Sequence, residues 1–291
     1  MIHRRSLALG PLLAIPAVVL ITAGCGGGGP ATVTIQKARQ FEIADLQPSG
    51  PIEPGKPTTV SFRILQPSGA PMTRFRTGSG PHTGVHMIVV RDDLGVIIHR
   101  HPPMSPGGRF SQQITFPTPG PYRLVLDVYP AAQGSQTAFQ QTNFQLFGRL
   151  EAKGAYRPQT LPSTTATQTV NGYRFQIEGR PKLRAIEPAL LTINVTDPAG
   201  KLAPFTPWYG ALAHAIFFHK GRFEYFHTHV CSPGAGGCAS VLGGSRVTGS
   251  SSKPGKLTVG VLLPDSGAWR LFLQLKSHGR VLTAPFVLSV R

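Results

Sequence analysis

The residues whose types and spacing could do chemistry in this chain are histidines. His86 is followed, after twelve intervening residues, by His99 and His101 within VHMIVVRDDLGVIIHRHP. The same spacing returns as His214, His227 and His229 within AHAIFFHKGRFEYFHTHV. Neutral imidazoles ligate copper and zinc, so each trio is a candidate metal-binding group. His82, four residues before His86, is an additional candidate in the first copy, where the second has Gly210. Met72 or Met104 would join only for cuprous copper, and the first copy has no cysteine for a blue-copper centre.

Those ligands must be positioned by hairpins. Alternating apolar and β-branched residues flank Asp92-Asp93-Leu94-Gly95 and Lys220-Gly221-Arg222-Phe223, the pattern of two strands joined by a tight turn. Gly221 suits the first position of a two-residue II′ turn. Turns centred on Asp93-Leu94 and Gly221-Arg222 set His86 opposite His101 and His214 opposite His229. His99 and His227 then share their partners' face. Opposed Cβ atoms lie about 5 Å apart and diagonal ones about 7–8 Å, close enough for three rings to converge. A one-residue slip would send the lone histidine of each copy to the other face. The same parity puts Ile88, Val90 and Ile97, and Ile216, Phe218 and Tyr225, beside the histidines, leaving Met87, Val89, Val96 and Ile98 as an apolar outer face of the first copy. His219 falls opposite Glu224 and reads as an ordinary cross-strand ion pair.

The chain begins with Arg4-Arg5, an apolar run from Leu7 to Thr22, and Ala23-Gly24-Cys25. That is an export signal, and the run, interrupted by Pro11 and Pro16, is short for a bilayer span. The Ala-Gly-Cys ending resembles the lipobox of bacterial lipoproteins, with Thr22 where that motif usually carries Leu. The resemblance implies cleavage after residue 24, lipid on the Cys25 thiol, and an exported protein anchored to the bacterial cell membrane. Removing Arg4 and Arg5 takes 29 basic residues to 27 against 12 acidic, a formal +15. These charges are scattered singly, without the clusters that track a nucleic-acid backbone, so nucleic acid is not the expected partner; the charge lies against anionic lipid or simply keeps the protein soluble. Cys231 and Cys238 remain; outside the cytosol such a pair forms a disulfide, the alternative being Cys231 as a metal ligand.

Residues 25–38 read as a Gly-rich tether. Beyond it, short apolar runs alternate with many of the 28 Pro and 34 Gly residues and no helical period is sustained, so the fold is all-β, a sandwich. Residues 149–168 lose the alternation and read as a linker between one domain at 39–148 and another at 169–291. The two are copies: Ile52-Glu53-Pro54 recurs as Ile186-Glu187-Pro188, and Pro119-Gly120-Pro121-Tyr122-Arg123-Leu124 as Ser266-Gly267-Ala268-Trp269-Arg270-Leu271. The principal difference is an insertion after His229. Tyr122 suits a tyrosine corner of an immunoglobulin-like domain; Trp269, in its place, is expected not to repeat the hydroxyl's bond.

The hairpin, its His-x-His-Pro ending and the Pro-Gly-Pro-Tyr-Arg-Leu turn together resemble bacterial exported immunoglobulin-like domains of the YtkA-like type. That resemblance implies two tandem immunoglobulin-like sandwiches and a metal-related envelope role, carried by His86, His99 and His101 and by His214, His227 and His229. The second copy has Val230 where the first has the motif's Pro102. No hydrolase motif is present, and Asp127 has Gln274 as its counterpart, so no carboxylate is shared; the expectation is a metal-binding protein and not an enzyme. The competing readings are an adhesive protein whose sandwiches bind another envelope protein, and a copper-dependent redox enzyme.

Overall fold

The period-2 patterning does become sheet. The computed structural model describes residues 40–78, 80–131, 143–235, 238–242 and 245–291, and among them there is no helix. The leader, Cys25 and the tether lie outside the described residues. In the first half, β1 (Glu42–Gln47), β2 (Pro57–Leu65) and β5 (Arg109–Thr115) form one antiparallel sheet. It faces a second sheet of order β4-β3-β6-β7, built from β3 (Val85–Arg91), β4 (Ile97–Arg100), β6 (Gly120–Val128) and β7 (Phe144–Ala152). Alternate residues of both, among them Val60, Phe62, Val89 and Leu124, fill a core with no solvent access, the expected packing of two half-buried sheets.

The second half repeats this plan with its sheets joined. β11 (Ala213–His219), β12 (Tyr225–Cys231), β16 (Gly267–Ser277) and β17 (Arg280–Val290) form a sheet of order β17-β16-β11-β12. β8 (Thr167–Val170), β9 (Tyr173–Ile177), β10 (Ala189–Thr196) and β15 (Lys256–Val261) form the other. The insertion makes the difference. It supplies β13 (Ala239–Leu242) and β14 (Ser245–Lys253), and β14 pairs in parallel with β12 at Val230 and antiparallel with β15. Gly249 is needed at this junction, since a Cβ there would meet the His229 carbonyl oxygen at 2.6 Å. Cys231 and Cys238 form the disulfide that closes the loop leaving β12.

Both hairpins hold the expected register: Ile88 pairs with His99, and His214 with His229. The turns are wider than a two-residue II′ turn. Arg91 N–H bonds the Val96 carbonyl and His219 N–H bonds that of Glu224, leaving four-residue loops in which Leu94 and Phe223 take left-handed φ of 58° and 63°. Because each loop keeps the expected centre, the parity survives. What reverses is the assignment of inside and outside. Met87, Val89 and Ile98 belong to the first sandwich's core, whereas Ile88, Val90, Leu94 and Val125 leave the sandwich and pack on Ile216, Phe218 and Phe272 of the second half. The face that carries the histidines is therefore the face on which the halves meet, and residues 39–291 form a single unit.

The corners correct another expectation. Tyr122 Oη–H donates to the Thr118 carbonyl at 2.8 Å, and Trp269 Nε1–H donates to the Asp265 carbonyl at 2.9 Å. Both donors reach four residues back, so the indole makes the bond that a hydroxyl was expected to monopolise. The preceding glycines, at φ 122° and 126°, are each covered by a ring: Tyr156 over Gly120, and His219 over Gly267. His219 Nε2 also bonds the Ser266 carbonyl at 2.9 Å, with Glu224 3.6 Å from Nδ1. It closes the strand entry. The connection between halves is packed down: β7 runs on to Ala152, Gln159 N–H bonds the Asp93 carboxylate, Leu161 packs at the seam and Thr165 bonds Val287.

Candidate metal centre

Strand ends of both halves bring the seven candidate histidines to one place. His86, His99, His214 and His229 have no solvent exposure, His227 is buried, and His82 and His101 are half-buried. The first copy's trio comes together as expected, and the distances add two groups that cross between the halves. Three triads have ligand atoms mutually within 4.8 Å: His86/His99/His101, His86/His227/His229 and His99/His214/His227. Two of the three mix the halves, and the second copy's own trio is not among them. The reason is the facing of the two hairpins, which brings rings of one copy beside rings of the other. The His99 and His214 centroids are 4.9 Å apart, and those of His86 and His227 5.1 Å.

The contacts are reciprocal, as in a two-fold interface. His86 lies opposite Asp127 on β6, and His214 opposite Gln274 on β16. Each of those residues also serves a histidine of the other half: Gln274 Oε1 lies 3.1 Å from His99 Nδ1, and Asp127 Oδ2 3.5 Å from His227 Nδ1. The symmetry fails at one more place. Gly210, the counterpart of His82, sits against the Gly80-Pro81 backbone, where a Cβ would approach to 2.8 Å. No side chain fits there, so the first half alone provides a seventh imidazole, packed edge-on to His229 and against Tyr129. Trp208 and Tyr209 of the second half wall the other side, Tyr209 stacking on His101 at 4.0 Å.

Three rings have their tautomer set by an oxygen partner. His86 Nε2 bonds the Pro81 carbonyl at 2.7 Å and His214 Nε2 that of Trp208 at 2.9 Å, so both must donate there. His99 Nδ1 donates to Gln274, whose amide nitrogen is turned to Thr283. In each case the opposite nitrogen keeps its lone pair and faces the cluster, the arrangement by which outer partners orient metal ligands. Several cluster nitrogens have no protein hydrogen-bond partner: Nε2 of His99, Nε2 of His101, and both ring nitrogens of His82 and of His229. Buried polar atoms are otherwise almost always partnered.

Burial, reinforced by neighbouring imidazoles, holds His86, His99, His227 and His229 well below the ordinary histidine pKa. Burial likewise brings His82 and His214 down to about 4 and His101 to about 3. The rings are neutral at physiological pH and available as ligands. Asp127 is, among the described residues, the carboxylate in contact with them. Burial raises its pKa to about 6 against the pull of bonds from Tyr129, Gln145 and Tyr225, the first of these 2.7 Å long. The sequence reading set Asp127 aside because its counterpart is Gln274. Its place opposite His86 was the signal that could have found it.

Met72 lies in the first sandwich's core and Met104 is 37 % exposed. Cys231 is committed to its disulfide. A cavity of about 420 Å³, lined by His99, Arg100, Trp208 and Gln274 among others, reaches one side of the cluster, and one of about 450 Å³ reaches His82 beside Arg76.

Fold and site define an all-β protein of two facing sandwiches with an imidazole-rich centre between them. The chain belongs to the family described as Domain of unknown function (DUF8832), which matches residues 37–144 and 168–291, one segment in each half. No curated protein matches the sequence. Among solved structures it is similar to FdeC, an Escherichia coli adhesin, at 12% identity over 88% of this chain and 65% of that one, with TM-score 0.25. Invasin, a bacterial integrin-binding protein, gives 11% identity over 85% of this chain and 38% of that one, with TM-score 0.21. A chimeric titin Z1Z2 gives 15% identity over 88% and 99%, with TM-score 0.23. The chain thus spans 65% and 38% of the first two in length.

Proposed function

We propose that the protein binds a transition metal, copper or zinc, in one composite centre shared by its halves. In this reading it is exported, tethered to the membrane through lipidated Cys25, and buffers, senses or delivers metal there, the role that the YtkA-like resemblance implies. One observation carries the proposal: seven imidazoles from two sandwiches converge on a buried site, three of them with lone pairs turned inward by fixed oxygen partners. Imidazole donors suit Zn(II) and Cu(II), and neutral rings need no proton removed before ligation.

The test is a double substitution. Every triad contains His86 or His99, so H86A/H99A takes metal binding, followed by calorimetry and elemental analysis, from saturable to none. Independent centres in each half would leave His214, His227 and His229 still binding an ion, and that result would refute the composite site. Absence of saturable binding by the unaltered protein would remove the metal reading and leave the recognition of an envelope protein.

A further inference from the structure

Resting on that metal-binding reading, we propose that His227 is a bridging imidazolate joining two copper or zinc ions. One ion is held by His86, His229 and His227, with Asp127 beside it, and the other by His99, His214 and His227.

The argument starts from what the two nitrogens of His227 face. Nδ1 lies 3.3 Å from His86 Nδ1, and Nε2 lies 3.4 Å from His214 Nδ1. Both facing atoms carry lone pairs, because the opposite nitrogens of those rings donate to the Pro81 and Trp208 carbonyls. A neutral imidazole has one N–H. It can satisfy one of these neighbours, and the other side is then lone pair against lone pair in a buried setting. A cation between each pair of nitrogens resolves both contacts.

The distances fit that resolution. The two separations, 3.3 and 3.4 Å, lie beyond the range of about 2.7–3.2 Å usual for N–H···O bonds. Two nitrogens at adjacent corners of a tetrahedron around an ion, each bonded at about 2.0–2.1 Å, stand about 3.3–3.4 Å apart. Both observed separations match the tetrahedral edge. The remaining ligands fall correctly as well: His229, with neither nitrogen partnered, completes the first triad, and His99, with Nε2 free, completes the second. With both ring nitrogens of His227 bonded to metal, its N–H proton passes to solvent and the ions sit about 6 Å apart. The third triad, His86/His99/His101, adds no further ion, because His86 and His99 each have a single free nitrogen and it is already engaged.

Loading the full chain with Cu(II) tests this by elemental analysis and electron paramagnetic resonance. The expected result is two ions per chain with a signal integrating far below two spins, since an imidazolate couples the ions antiferromagnetically. Replacing one copper by zinc should restore a full one-spin signal without altering the protein. H227A should lose the coupling. A single ion per chain, or two ions with full two-spin intensity, would overturn the bridge while leaving metal binding intact; no bound ion would overturn the underlying reading instead. If H227A does not fold, the mixed copper–zinc sample still decides whether the two ions are bridged. Undiminished coupling in a folded H227A variant would overturn the assignment to His227.

Discussion

The two halves enter the centre with equivalent hairpins and unequal surroundings. Around His86, His227 and His229 stand a carboxylate, Asp127, two phenols, Tyr129 and Tyr225, and the extra ring of His82. Around His99 and His214 stand the neutral amide of Gln274 and the indole of Trp208. A duplicated scaffold has kept its histidine spacing while its two flanks have diverged in charge. The seam has diverged in bulk as well: the second half sets Phe218 where the first sets Val90, both fully buried.

Acid should affect both flanks and gives the largest expected change. A histidine whose folded pKa is depressed favours folding fully above the unfolded value near 6.5, and that favour is lost as pH falls toward the folded value. For His82 and His214 the window runs from 6.5 down to about 4, and for His101 to about 3. Asp127, raised to about 6, works oppositely, since protonating it becomes favourable on folding as pH falls through that value. One carboxyl does not offset seven imidazoles. The metal-free protein should therefore show a thermal midpoint that drops steeply between pH 6.5 and 4, followed by circular dichroism. A flat profile there would mean that the rings are not buried and neutral.

Bulk comes next. Phe218→Ala should cost about 3–5 kcal/mol and Val90→Ala about 1.5–3 kcal/mol, read from urea unfolding of the metal-free chain. Equal costs would show that the seam is not weighted toward the second half. The smallest effect concerns charge. In the proposed centre, Asp127→Asn should weaken binding of the ion beside His86 by about 10–100-fold, whereas Gln274→Leu, which removes a neutral partner, should cost under about tenfold at the other ion. Competition with a chelator measures both. Matching losses would mean that the carboxylate does not distinguish the two flanks.

Much of this was legible in the residues. Period-2 alternation specified strands, the repeated His spacing specified which rings cluster, and the turn centres specified a register that the backbone keeps. Less legible was which face of β3 looks inward. Both faces of that strand are apolar and all seven of its residues are buried, so parity grouped the side chains correctly and could not tell a sandwich core from a seam. Asp127 and Gln274 escaped for a related reason. Compared as counterparts they share no chemistry, and their common task, serving a histidine of the opposite half, exists only once the halves face each other. The Trp269 bond was missed because the comparison stopped at the hydroxyl, although the indole N–H occupies the same reach.

The sequence alone determined the strands, the duplication, the face shared by each trio of histidines and the cysteine pair, because these follow from local periodicity, spacing and chemical type. Tertiary structure decided that the two trios form one centre and that Gly210 leaves room for a single His82. It also decided that carbonyls of Pro81 and Trp208 aim the lone pairs. Those outcomes depend on how two apolar faces dock. That docking is fixed by shape and burial across about 128 residues of separation, which no local pattern encodes.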